Sequence, residues 1–248
     1  MKIIKLQNFK ENDSFERFSN WLQKDLNQVN KIILENLETD SSLITELSSY
    51  IIAAGGKRIR PSLTLATARL CQYSGNRHFN LASVIEFIHT ATLLHDDVVD
   101  GSKKRRGKKT ANFIWGNKSS ILVGDFLLSK AFKILINDGS LKCIDIVSNV
   151  SEKISFGEVK QLMSIGKLNV SESDYLEIIG FKTAELFSAA CQLSSEISEI
   201  DFTKKKSLKD FGYFLGIAYQ IIDDTLDYFS EEKISGKEIG NDFKENKM

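Results

Sequence analysis

Residues 206–230, KSLKDFGYFLGIAYQIIDDTLDYFS, decide how this chain folds. Leu208, Phe211, Leu215, Ala218, Ile222, Leu226 and Phe229 step by threes and fours, the spacing of one helix face. A half-buried strand would alternate instead. At about 100° per residue, Gly212, Gly216, Gln220, Asp223 and Asp227 share an arc of roughly 80° on another face. The pattern predicts a groove of small residues leading up to the acids, opposite an apolar back.

The same period extends outward. Leu43, Ile44, Leu47, Ile51 and Ala54 follow it, and helices are predicted near 14–38, 42–54, 61–73, 80–100, 118–137, 140–165, 172–199 and 206–230. Asn80 reads as the N-cap of the fourth, and Ser171 with Asp174 as a capping box for the seventh. Glycines at 55, 56, 75, 101, 107, 139 and 166 punctuate the ends. The chain has one proline, Pro61. Average usage would give roughly twelve, and its scarcity favours long helices with short connections. No repeat or linker interrupts the 248 residues. The expectation is one all-α domain over residues 1–248, with the polar, non-periodic residues 231–248 as an exposed loop.

Composition excludes several functions. Basic and acidic residues number 33 each, so no global field demands nucleic acid or an anionic membrane. Cys71, Cys143 and Cys191 lie far apart without a CxxC pair, which reads as free thiols. Met1–Lys10 lacks the apolar stretch of a signal peptide, and no uncharged apolar run approaches the roughly 18 residues a spanning helix needs. A cytoplasmic protein is expected.

Four constellations could hold chemistry. In His89-x6-Asp96-Asp97-x2-Asp100, three of the side chains (His89, Asp96 and Asp100) fall within roughly 40° of helix arc. Carboxylates one turn apart repel, and a hard cation such as Mg²⁺ would offset that. A solvated acidic helix end is the bland alternative, although acids at a C-terminus oppose the dipole. The same spacing recurs in Asp223-Asp224-x2-Asp227. If the two helices face each other, six carboxylates converge, which Mg²⁺ bridging a diphosphate would make tolerable. Third is Gly55-Gly56-Lys57-Arg58-Ile59-Arg60-Pro61. Here glycines and three cations precede a helix that Pro61 opens, a pattern suited to an anion or to a basic surface turn. The fourth, Lys103-Lys104-Arg105-Arg106-Gly107-Lys108-Lys109, begins three residues after Asp100. That position favours phosphate over a solvated loop or a nucleic-acid patch. The His95-Asp96 pair is also similar to a metal phosphohydrolase dyad, but only His78 and His89 remain to complete such a site.

Together these stretches resemble the trans-polyprenyl diphosphate synthases. The resemblance runs through GGKRIRP (55–61), HTATLLHDDVVD (89–100), RRGKKTAN (105–112), VGDFLLSKAF (123–132), GEVKQL (157–162), KTAELF (182–187) and GIAYQIIDDTLDY (216–228), in that order. The chain is most similar to the medium- and long-chain, octaprenyl diphosphate synthase-like group that makes quinone side chains. The resemblance implies an isoprenoid synthase-type helical bundle around a central cavity, normally a homodimer. It implies head-to-tail condensation of isopentenyl diphosphate with an allylic diphosphate. Lys57, Arg60, His89 and Arg106 would hold the isopentenyl diphosphate. Asp96, Asp97, Asp100, Asp223, Asp224 and Asp227 would hold Mg²⁺, three ions per site, on the allylic diphosphate. Arg105, Lys182, Thr183, Gln220 and Lys237 would line that diphosphate and the reacting centre. The product could be passed to a membrane, and no nucleic acid is involved.

Small Ala91 and Thr92 lie just upstream of Asp96, where short-chain members place an aromatic residue. An open tunnel and a product longer than C20 are therefore expected. After the second acidic motif the family pattern continues into further helices. Here GKEIGNDFKENKM (236–248) keeps Lys237, Asp242 and Lys247, lacks the proline and has Asn246 where a glycine is usual. The expectation is a chain shortened at its C-terminus. A non-catalytic partner subunit of a longer synthase is one alternative reading. A class I terpene cyclase is another, though it would have no use for GGKRIRP.

Overall fold

The computed structural model describes residues 11–53, 56–105, 107–167 and 169–229. In chain order the helices are α1 (Glu11–Leu37), α2 (Ser42–Ala53), α3 (Ile59–Leu70), α4 (Arg77–Val99), α5 (Ala111–Trp115), α6 (Asn117–Asp138), α7 (Leu141–Ser164), α8 (Glu172–Ile179), α9 (Glu185–Glu196) and α10 (Phe202–Phe229). A two-stranded antiparallel hairpin, β1 (Lys104–Arg105) and β2 (Lys108–Lys109), follows α4, and a π-helical turn, Gly180–Ala184, joins α8 to α9.

The helices wrap around α4 and α9. Both are apolar or small on nearly every side, the pattern of a helix enclosed by others. On α4, Leu81, Val84, Ile85, Phe87, Ile88 and Leu94 are buried; on α9, Leu186, Phe187, Ala189, Ala190, Cys191 and Leu193 are. Fully burying a side chain of Leu, Ile or Phe size contributes about 1.5–3 kcal/mol, so these two helices anchor the core. Helices α1, α3 and α6 pack on α4, while α3, α7 and α10 pack on α9. Two serines inside this core hydrogen-bond to backbone of a neighbouring helix. The Ser194 hydroxyl donates to the Thr64 carbonyl at 2.6 Å, and that of Ser120 to the Leu94 carbonyl at 3.0 Å.

The all-α expectation holds, and the predicted helices match to within a few residues at most ends. Ser171 caps α8 as expected, its Oγ accepting the Asp174 N–H at 3.1 Å. The three cysteines are free. Several details are corrected. Asn80 is not a cap: α4 begins at Arg77, whose guanidinium forks onto Asp138 at 2.8 and 2.7 Å and ties the start of α4 to the end of α6. Pro61 is the third residue of α3 rather than its first, still inside the turn where its missing N–H costs nothing. The long helix expected over 172–199 is broken by the π turn.

The apolar stripe of α10 is divided: Leu208 and Leu215 pack against the core, while Phe211, Ile222 and Leu226 are 56%, 60% and 45% exposed. The glycine face packs closely. A Cβ on Gly216 would lie 2.5 Å from Ala184 Cα, and one on Gly212 would lie 2.6 Å from the Phe187 carbonyl oxygen. The predicted open groove of small residues is therefore a closed helix–helix contact. Among the described residues, no helix is long and apolar enough to cross a membrane.

Candidate active site

The first acidic motif occupies the last turn of α4. Asp96 is half-buried. Burial and the nearby Glu158 push its carboxyl up to about 7, with Lys182 and Arg105 opposing. Asp97 points elsewhere. It is 1% exposed, and Arg105 Nε donates to its Oδ1 at 2.9 Å. Burial raises its carboxyl above the usual range and Arg105 pulls it back. The hairpin delivers Arg105: Asn112 Nδ2 donates to the carbonyls of both Asp97 (2.9 Å) and Ser102 (3.1 Å), which folds the basic segment back onto the end of α4. One cation of this segment, Arg105, thus stands beside the acids. Asp97 itself pairs with Arg105 and, in its contacts, faces away from Asp96.

The π turn joins the two acidic motifs. Such turns cost helix regularity and concentrate at functional sites. Lys182 Nζ lies 2.8 Å from Glu158 Oε1 and also donates to Gln161 Oε1, both on α7. Gly157 lets α7 come this close, since a Cβ there would lie 2.7 Å from Phe181 Cβ. The next residue faces the other way. Thr183 Oγ1 donates to Gln220 Oε1 at 2.7 Å, and Gln220 Nε2 donates to Asp224 Oδ1 at 2.7 Å. Tyr175 Oη on α8 donates to Asp224 Oδ2 at 2.6 Å. One turn thus presents Lys182 toward Asp96 and Thr183 toward the second motif. Asp100 and Asp223 are half-buried beside these groups. Among the described residues, no three acidic, histidine or cysteine side chains lie close enough together to enclose an ion. Asp97 is paired with Arg105, and Asp224 with Tyr175 and Gln220. Arg106, Lys237 and the side chain of Asp227 lie outside the described residues.

The Gly-Lys-Arg loop and α4 build a second, basic locus. Arg60 Nη1 lies 3.2 Å from His89 Nε2, across 29 residues of sequence, and its guanidinium stacks on the Phe187 ring at 4.6 Å. A guanidinium only donates, so His89 Nε2 accepts and its proton sits on Nδ1. Lys57 is exposed, with its ammonium 5.7 Å above the Phe15 ring.

His95 does not pair with Asp96. Its Nε2 lies 3.2 Å from the Ile121 carbonyl and 3.4 Å from Asp125 on α6, where Gly124 leaves room for the ring. This rules out the phosphohydrolase-like dyad. Ala91 is 2% exposed within the packed core, whereas Thr92 is half-buried with its hydroxyl on the His89 carbonyl at 2.8 Å. Sequence reasoning missed Glu158, Gln161 and Tyr175 as partners of the site. GEVKQL did contain the first two, but nothing in the sequence pairs Tyr175 with Asp224, 49 residues away.

The sequence pattern of the polyprenyl synthetase family matches residues 41–248. This chain belongs to the polyprenyl synthetase family. It is 45% identical over 234 residues to the octaprenyl diphosphate synthase of Escherichia coli K12, covering 94% of this chain and 72% of that protein. It is 39% identical over 228 residues to an all-trans-nonaprenyl-diphosphate synthase (geranyl-diphosphate specific) of Rhodobacter capsulatus, covering 90% and 69%. The fold superposes with a TM-score of 0.92 on a polyprenyl synthase from Caulobacter crescentus complexed with calcium and isoprenyl diphosphate, at 46% identity, covering 95% of this chain and 72% of that one. As a polyprenyl synthetase, the chain is a prenyltransferase that builds trans-polyprenyl diphosphates.

Proposed function

We propose that this prenyltransferase adds isopentenyl diphosphate to an allylic diphosphate at the π turn, with Mg²⁺ on the allylic diphosphate, and releases a medium- or long-chain product. The observation that supports the reading is the π turn itself, where Lys182 and Thr183 stand between the two acidic motifs. The donor chemistry fits a hard cation. Asp96, Asp100 and Asp223 offer carboxylate oxygens, and burial together with the neighbouring Glu158 raises Asp96 to about 7. The Caulobacter relative was solved with calcium, another hard dication, together with isoprenyl diphosphate. Mg²⁺, three ions in this reading, would neutralise charge on the departing pyrophosphate.

The chain's own residues do the rest. Arg105 and Lys182 face the leaving group, so charge that develops as the C1–O bond breaks meets fixed cations. Thr183 and Gln220, already hydrogen-bonded, fix the side of the site nearest the second motif. Arg60, His89 and Lys57, with Arg106, hold the diphosphate of isopentenyl diphosphate and aim its double bond at the allylic C1. The new C–C bond forms there, and the proton lost from isopentenyl C2 goes to the released pyrophosphate. No side-chain nucleophile is needed. A homodimer, a cytoplasmic setting, and a product that joins a membrane as a quinone side chain complete the reading.

Purified protein incubated with Mg²⁺, labelled isopentenyl diphosphate and farnesyl diphosphate should give a ladder of products longer than C20. No incorporation by protein that is folded by circular dichroism would overturn the reading and favour a partner-subunit role. Thr92 rather than Ala91 is the position from which to shorten the product. Thr92→Phe should truncate the ladder, while Ala91→Phe overpacks the core and costs about 1–3 kcal/mol of stability.

A further inference from the structure

Arg58 belongs to the same basic loop as Lys57 and Arg60, yet its guanidinium faces inward. It pairs with Glu86 Oε1 on α4, and its Nη2 donates to the Ile52 carbonyl at 3.3 Å, on the last turns of α2. Its side chain is 18% exposed and that of Glu86 is 9%. A carboxylate that buried requires a charged partner. The backbone of Arg58 is left-handed, at φ 49 and ψ 34, and its carbonyl accepts the Ser62 N–H at 2.9 Å, opening α3. A side chain other than glycine keeps that conformation only where its surroundings hold it.

The pair runs parallel to a second cross-link. Arg58 meets Glu86 while Arg60, two residues on, meets His89, one helical turn on from Glu86. The two rungs fix the start of α3 against α4, and the left-handed residue sets the direction in which Lys57 leaves the loop. We propose that Arg58 and Glu86 are positioning residues that hold Lys57, Arg60 and His89 in register for the diphosphate of isopentenyl diphosphate without touching it. The inference rests on the assignment of that subsite made above.

The test compares Glu86→Gln, Arg58→Met and Arg58→Lys with the parent chain. Binding of isopentenyl diphosphate is read by titration calorimetry, and KM for each substrate by steady-state kinetics. Thermal denaturation checks folding. The isosteric Glu86→Gln decides the matter if Arg58→Met fails to fold. Kd and KM for isopentenyl diphosphate should rise about tenfold in Glu86→Gln and Arg58→Met, as expected when a binding group is misplaced. KM for farnesyl diphosphate should stay within about twofold, and Arg58→Lys should recover part of the loss. An unchanged Kd in folded variants, or an equal rise for both substrates, overturns the proposal. Arg60→Gln separates the two claims. If it weakens isopentenyl diphosphate binding and Glu86→Gln does not, the positioning role falls and the subsite stands. If Arg60→Gln has no effect, the subsite assignment fails and takes this inference with it.

Discussion

Neighbouring residues of one type have different fates here, and partners decide which. Asp96 and Asp97 are adjacent, yet one looks across to Lys182 and the other is buried on Arg105. Lys182 is the cation that both Asp96 and Glu158 feel, and a cation fixed in that position lowers the barrier only if the leaving charge forms beside it. Lys182→Ala should therefore reduce kcat by about 10²–10³, the usual cost of removing one preorganised stabilising group. Lys182→Arg should retain part of the activity. A kcat equal to the parent's would place the leaving group elsewhere. The acidic and basic residues of the site were legible from their spacing. That Asp97 serves Arg105 was not, because a helical wheel gives direction and says nothing of the hairpin that arrives from outside.

At the scale of elements, α10 shows that a period finds a helix without saying how closely each face packs. The threes-and-fours spacing found the helix, but both of its faces offered a reason to pack. Two glycines one turn apart let backbone approach backbone, and through them α10 closes on α9 and the π turn. Gly216→Ala tests it. Alanine would gain about 0.8–1 kcal/mol in helix propensity. Its Cβ, however, would meet backbone 2.5 Å away that cannot rotate aside. A net loss of about 1 kcal/mol or more is expected from overpacking, read as a lower urea midpoint. Activity should fall with it, because Gln220 and Thr183 sit on the displaced surfaces. A midpoint at or above the parent's would mean that α9 and α10 are not in that contact.

At the scale of the molecule, the charges are balanced overall and segregated locally. Acids line the ends of α4 and α10, and cations line the hairpin and the loop before α3. Such an arrangement is relieved when a divalent ion and an anion bind together. Mg²⁺ with pyrophosphate should raise Tm, whereas either alone should do less. At a ligand concentration about a hundred times Kd the gain is roughly 2.7 kcal/mol, which for a chain of this size corresponds to about 5–10 °C. Asp100→Asn and Asp223→Asn should each remove most of the shift. A shift that survives both substitutions would move the metal away from these helices.

The amino-acid sequence by itself determined the helices, the two acidic motifs, the basic segments and the family they resemble. Those features are local: spacing along a helix, capping residues and runs of charge need no knowledge of what lies opposite. Only the tertiary structure decided that a π turn would stand between the motifs, that Arg58 would turn inward to Glu86, and that Tyr175 would reach Asp224. Each of these joins residues distant in sequence, and which of them meet is set by how the other helices close around α4 and α9, where buried charges such as Asp97 and Glu86 are held by arginines.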